Sequence, residues 1–150
     1  MKILMVCLGN ICRSPLAHGV LQQLADDKGL DWTVDSAGTG GWHIGNPPDD
    51  RAIAIAKDHG IDISGQQAQQ LCKGHFDRFD HILAMDRANL RSLLTTAETA
   101  EQRARIQLFL PDNEVPDPYY DDDLFEIVYQ LVEARCKELI ELWSSTPNTV

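Results

Sequence analysis

The chain has 150 residues, enough for one domain around one core, and its 43% hydrophobic and 24% charged content is that of an ordinary globular protein. A formal net charge of -10 excludes the basic face that a nucleic-acid or anionic-membrane binder needs. No stretch approaches the roughly 20 apolar residues of a bilayer span, so no membrane partner is expected.

In chain order, Lys2 to Val6 is a continuous apolar run, the pattern of a strand buried on both faces. It is too short for a signal-peptide core and runs into Gly9-Asn10 rather than a small-residue cleavage site. Ser14-Pro15 is expected to open a helix, with Ser14 as N-cap and Pro15 at the first helical position. Leu16, Val20, Leu21 and Leu24 give that helix an apolar stripe, and Gly29 closes it. Trp32 to Ser36 reads as a second strand, followed by a loop rich in glycine and proline from Gly38 to Pro48. A helix is expected from about Asp49 to His59, ended by Gly60.

His81 to Met85 is the third strand, and Asp86 caps a helix carrying Leu90, Leu93 and Leu94. Ile106 to Leu110 is the fourth, interrupted by Pro111. The last helix is expected from about Asp122 to Trp143, with Leu124, Ile127, Val128, Leu131, Val132, Leu139, Ile140 and Trp143 as its stripe and a frayed tail beyond Ser144. Strands alternating with helices predict an α/β fold: a four-stranded parallel sheet with helices on both faces, all in one domain spanning residues 1–150. Ligands of such sheets bind beyond the carboxyl ends of the strands. Cys7 to Ser14, Trp42, Asp86 and Asp117 each follow a different strand and so fall on that one edge.

Cys7-Leu8-Gly9-Asn10-Ile11-Cys12-Arg13-Ser14 carries the chemistry. A loop of this length between a strand and a helix can turn its successive N–H groups inward as an anion nest. Gly9 and Asn10 suit the positive-φ geometry of the curl. Arg13 offers a planar fork for two phosphate oxygens, and the positive nest favours the thiolate of Cys7. Ser14 can donate its hydroxyl to that thiolate. A bare Cys-x5-Arg could equally be a packed cysteine and a surface arginine; the preceding strand, the internal Gly-Asn and the following Ser-Pro favour the phosphate-binding loop.

Asp117 stands between Pro116 and Pro118, which restrict its backbone. By pattern alone it fits equally a proton donor over the site or, like Asp121 to Asp123, a charge at the start of the last helix. Trp42 and Tyr119 lie in loops at the active edge and could wall a slot for a phenyl ring. The four cysteines form no CxxC pair, which suggests a reduced, cytoplasmic setting, and Cys72 and Cys136 are expected to pack. The five histidines have no metal-ligand spacing and are each expected at the surface.

The string CLGNICRS resembles the active-site loop of the low-molecular-weight protein tyrosine phosphatases. The resemblance continues through Asp35-Ser36-Ala37-Gly38-Thr39, Gly45-Asn46-Pro47-Pro48-Asp49, Ile82-Leu83-Ala84-Met85-Asp86 and Asp117-Pro118-Tyr119-Tyr120, nearly the whole chain in order. It implies hydrolysis of phosphotyrosine through a phosphocysteine on Cys7, with Arg13 as phosphate ligand and Asp117 as general acid and base. Leu8, Gly9, Asn10, Ile11, Cys12 and Ser14 would bind phosphate with them, Ser36 would support the loop, and Trp42 and Tyr119 would hold the substrate ring.

Ile11 stands where the phosphoarginine-specific branch of that family usually has threonine, which favours tyrosine. Cys12, which by pattern could simply pack beneath the loop, is by resemblance a protective disulfide partner for Cys7. Phosphotyrosine proteins are the implied partners, with no metal or other cofactor, in a monomer or weak homodimer. The sequence departs from its relatives at Gln66-Gln67-Ala68-Gln69, where many carry a histidine and an arginine. That histidine resembles part of the network holding the loop asparagine, so the departure bears on the tuning of the loop. A thiol-dependent arsenate reductase and a catalytically silent phosphotyrosine-binding module are the rival readings. The first would need further redox cysteines near the loop, and the second would have no use for Asp117.

Overall fold

The computed structural model describes residues 1–144; the tail predicted to fray beyond Ser144 lies outside the described residues. Four strands, β1 (Lys2–Cys7), β2 (Thr33–Gly38), β3 (His81–Ala84) and β4 (Ile106–Leu108), form one all-parallel sheet in the order β2-β1-β3-β4. Six helices accompany them: α1 (Arg13–Asp27), α2 (Asp50–Asp58), α3 (His75–Arg78), α4 (Arg87–Thr96), α5 (Ala100–Ala104) and α6 (Leu124–Ser144). The α/β expectation therefore holds. Central strand β1 explains its own continuous hydrophobicity. Ile3, Met5 and Cys7 enter the core formed with α1, α2 and α6, while Leu4 and Val6 enter a second core shared with Phe76, Leu93 and Ala97 on the opposite face.

Helix α1 starts two residues earlier than expected, at Arg13 rather than Pro15. Its N-cap is Cys12, with no side-chain cap, and Ser14 lies inside the first turn. The reason is chemical: the Ser14 hydroxyl is turned to Cys7 and Asn10 rather than to the helix amides. Its far end follows the prediction, with Gly29 at φ 68 and Leu30 N–H returning to the Ala25 carbonyl. Asp49 and Asp86 cap α2 and α4 through their carboxylates.

Two short helices, α3 and α5, escaped the periodic reading, which needs more than one turn of repeat. Helix α6 is as long as expected but rotated from the predicted stripe. Phe125, Val128, Tyr129, Val132, Cys136, Leu139 and Ile140 are buried, whereas Ile127 is exposed.

Candidate active site

The site grows from the carboxyl end of β1. Beyond Cys7 the chain is still clamped by β2: Thr39 N–H donates to the Cys7 carbonyl and Gly40 N–H to that of Leu8, both at 2.9 Å. Gly38 makes this clamp possible, because a Cβ there would lie 2.8 Å from the Leu8 carbonyl oxygen. The loop then curls through Asn10 at φ 58. Gly9 does not share that left-handed geometry; its bare Cα instead admits the His43 ring, whose Cδ2 would be 3.2 Å from a Cβ.

Hydrogen bonding fixes the direction of a proton. Asn10 Nδ2 donates to Ser14 Oγ at 2.9 Å, so the single hydroxyl proton of Ser14 is free to point at Cys7 Sγ, also 2.9 Å away. Asn10 N–H lies 3.3 Å from the same sulfur. Cys7 Sγ thus has two donors arranged to stabilise a thiolate. Asn10 is itself held by Gln69, whose backbone N–H donates to Oδ1 at 3.0 Å. The Gln69 side chain donates to the Ser36 carbonyl at 2.9 Å and to Asp35, and Gln69 Oε1 lies 3.4 Å from His75 Nε2. Gln66 takes no part in this chain: its Nε2 donates to the Pro15 carbonyl and its buried Oε1 has no partner. Support of the loop asparagine therefore reaches it through the neighbouring Gln69. Ser36 contributes through its carbonyl, and its hydroxyl meets His18 Nδ1 at 3.1 Å.

Arg13 is buried, and its Nη1 is anchored by Asp86 Oδ2 at 2.8 Å and by the Val115 carbonyl at 3.0 Å. Asp86, expected at this edge and read first as a helix cap, also orients the arginine: Oδ1 caps α4 through Asn89 N–H while Oδ2 holds Arg13. Arg13 Nη2 lies 3.8 Å from Asp117 Oδ2, and Asp117 Oδ1 accepts from Tyr119 N–H at 3.1 Å. Asp117 is half-exposed, open to the cavity and to solvent.

Cys7, Leu8, Gly9, Ile11, Cys12, Arg13, Trp42, Asp117 and Tyr119 line one cavity of about 300 Å³. Among the expected site residues, Asn10, Ser14 and Ser36 stand behind it. His43 and Tyr120, not singled out in the sequence, complete the lining. A histidine after a Gly-Gly-Trp loop tip was the available signal.

The other histidines correct the surface expectation in part. His75 is buried, desolvation holds both His75 and His18 below the ordinary imidazole range, and His81 stacks on Trp143. Cys136 packs as expected. Cys72 does not: it is exposed and lies outside the cavity lining. Burial, reinforced by the charges of Asp49 and Cys7, pushes the pKa of the Cys12 thiol far up.

The outer wall is braced by Arg51. It donates to Asp49 and, at 2.6 Å, to Asp122, and its guanidinium lies over Tyr119 at 5.5 Å and Phe125 at 4.8 Å.

Residues 2–146 match the family model described as low molecular weight phosphotyrosine protein phosphatase. The chain is 42% identical over 146 residues to the low molecular weight protein-tyrosine-phosphatase YfkJ of Bacillus subtilis, covering 93% of each. It is 43% identical over 149 residues to the human low molecular weight phosphotyrosine protein phosphatase, covering 93% of this chain and 94% of that one. Among solved structures it resembles Vibrio vulnificus Wzb in complex with benzylphosphonate, with a TM-score of 0.85, 34% identity, and coverage of 94% of this chain and 97% of that one. With a matching fold, a matching chain length and identity above 40%, the protein belongs to the low-molecular-weight phosphotyrosine protein phosphatase family.

Proposed function

We propose that this phosphatase works through a phosphocysteine on Cys7. The observation that carries the reading is the convergence on one cavity of a sulfur with two hydrogen-bond donors, an anchored arginine and a carboxyl group. The Cys7 thiolate attacks phosphorus in line. Arg13 and the loop amides hold the equatorial oxygens, and Asp117 gives its proton to the departing phenolate. The Asp117 carboxylate then takes a proton from water as that water displaces Cys7 and releases phosphate.

Aryl selectivity follows from Trp42 and Tyr119 at the rim and from the apolar Ile11 in the lining. Benzylphosphonate, the ligand in the Wzb structure, pairs an aromatic ring with a phosphonate, which is the ligand chemistry this slot suits. Rapid quenching during turnover of radiolabelled phosphotyrosine should trap acid-stable label on the peptide containing Cys7. Turnover without any such label would overturn the covalent route.

The same sulfur is the site at which the activity is switched by oxidation in a cytoplasmic setting. Peroxide oxidises the Cys7 thiolate to a sulfenic acid, itself becoming water. The Cys12 thiol then attacks that sulfur, expelling a second water and closing a disulfide that external thiols reduce. Four free cysteines among the described residues support a reducing compartment as the resting condition.

A further inference from the structure

A second groove, of about 730 Å³, opens beside the catalytic cavity, and Leu8 and Trp42 border both. Its far wall is one face of α4: Ala88, Arg91, Ser92 and Thr95 follow the spacing that aligns side chains along a helix. Ala88 is small, which keeps the groove open at the end of α4 nearest Asp86.

Charge distinguishes this groove from the rest of the surface. The chain carries 23 acidic residues against 13 basic ones, yet no carboxylate lines the groove, and Arg91 is its single charged lining residue. The Arg91 side chain is exposed and, among the described residues, makes neither a hydrogen bond nor an ion pair. Arg51, Arg87 and Arg135, by contrast, all bind carboxylates. An arginine without a partner, in an acid-free groove continuous with an anion site, is placed to bind an anion from outside.

We propose that this groove is a substrate subsite. It takes the peptide segment flanking the phosphotyrosine, and Arg91 pairs there with an acidic side chain of that segment. The inference rests on the phosphotyrosine reading of the neighbouring cavity. A phosphotyrosine seated between Trp42 and Tyr119 leaves its own backbone at the rim. An extended chain advances roughly 3.3 Å per residue, so two or three residues carry it past Leu8 and Trp42 on the order of 10 Å into the groove. The subsite also offsets the repulsion that a net charge of -10 imposes on acidic phosphopeptides, by presenting its one cation where the peptide must pass.

The test uses nine-residue phosphotyrosine peptides of neutral background with a single glutamate walked along both flanks, and 4-nitrophenyl phosphate and free phosphotyrosine as substrates lacking a flank. On one flank, glutamate should raise kcat/KM roughly two- to fivefold, the usual worth of an exposed charge pair, and 1 M salt should erase the gain. Arg91→Ala should abolish the preference, and Arg91→Glu should reverse it in favour of lysine. Both variants should hydrolyse 4-nitrophenyl phosphate like the parent. A flat glutamate walk in the parent, or a preference that survives Arg91→Ala, would overturn the subsite. Failure of the parent to hydrolyse free phosphotyrosine is a separate result, and it would remove the phosphatase reading together with the subsite.

Discussion

Asp86 serves two groups at once, and two substitutions separate them. In Asp86→Asn the amide oxygen can still accept from Asn89 N–H and cap α4, but no negative charge remains beside Arg13. Arg13 is only 4% exposed and would keep the Val115 carbonyl and, at 3.8 Å, Asp117. Breaking a buried pair from one side costs about 3–5 kcal/mol; with Asp86 itself 22% exposed, the low end, about 3 kcal/mol, applies. For a chain of this length that is a fall in Tm of roughly 6–12 °C. Asp86→Ala should lose about 1 kcal/mol more for the missing cap, a further 2–4 °C or so.

Thermal unfolding followed by circular dichroism reads both values. Steady-state hydrolysis of 4-nitrophenyl phosphate should show kcat/KM reduced roughly ten- to a hundredfold in both variants, since Arg13 loses its carboxylate anchor in both. Equal melting of the two variants would refute the capping contribution. An Asp86→Asn protein with parental kcat/KM would refute the claim that this carboxylate orients the arginine.

Asp117→Asn should slow hydrolysis by roughly 10²–10⁴ for poorly leaving phenols and by much less for 4-nitrophenol; equal losses across leaving groups would point to a structural role. Trp42→Ala and Tyr119→Ala should each raise KM for phosphotyrosine peptides more than for a small alkyl phosphate, and an unchanged aryl-to-alkyl preference would return both rings to packing. Cys12→Ser should start with near-parental activity but recover poorly on thiol treatment after peroxide, as Cys7 passes to irreversible acids; full recovery, or Cys7 found paired with Cys72, would exclude the disulfide. His18 and His75 are held below the unfolded value of 6.5 by desolvation, so the unfolded chain binds more protons and their stabilisation, complete above pH 6.5, is lost as pH falls through the folded values. Replacing either with glutamine should flatten the decline of Tm below pH 6.5, and an unchanged slope in both would contradict their burial as neutral groups.

The parts of the molecule legible in the sequence are those where one pattern serves one purpose. The run from Lys2 to Val6 read as a strand buried on both faces, which holds from Ile3 onward, and that reading put Cys7 to Ser14 at the binding edge. Legibility fails where a residue has two uses or an element is shorter than its period. Ser14 looked like a cap because serine before proline commonly is one, but its hydroxyl is engaged by Cys7 and Asn10. Asp86 read correctly as a cap, and nothing local indicates that its second oxygen reaches an arginine 73 positions away. Gln69 acts through its backbone N–H, which has no sequence signature. Helix α5 did carry one: Thr99 and Gln102 form a capping box. The rotation of α6 that exposes Ile127 follows from packing against α1, which pattern alone does not fix.

Arg51 touches no reacting atom, yet it links α2, the turn after Tyr120 and the Tyr119 ring through one rigid planar group. The position of the Tyr119 ring relative to the start of α2 therefore depends on the span of a single guanidinium, much as the gap of a vice depends on its screw. Lysine has the charge but not the fork or the flat face, so it could not hold two carboxylates and a ring in one geometry. If Tyr119 walls the substrate slot as proposed, Arg51→Lys should change the preference among aryl phosphates of different width, and an unchanged preference would confine Arg51 to bracing the fold.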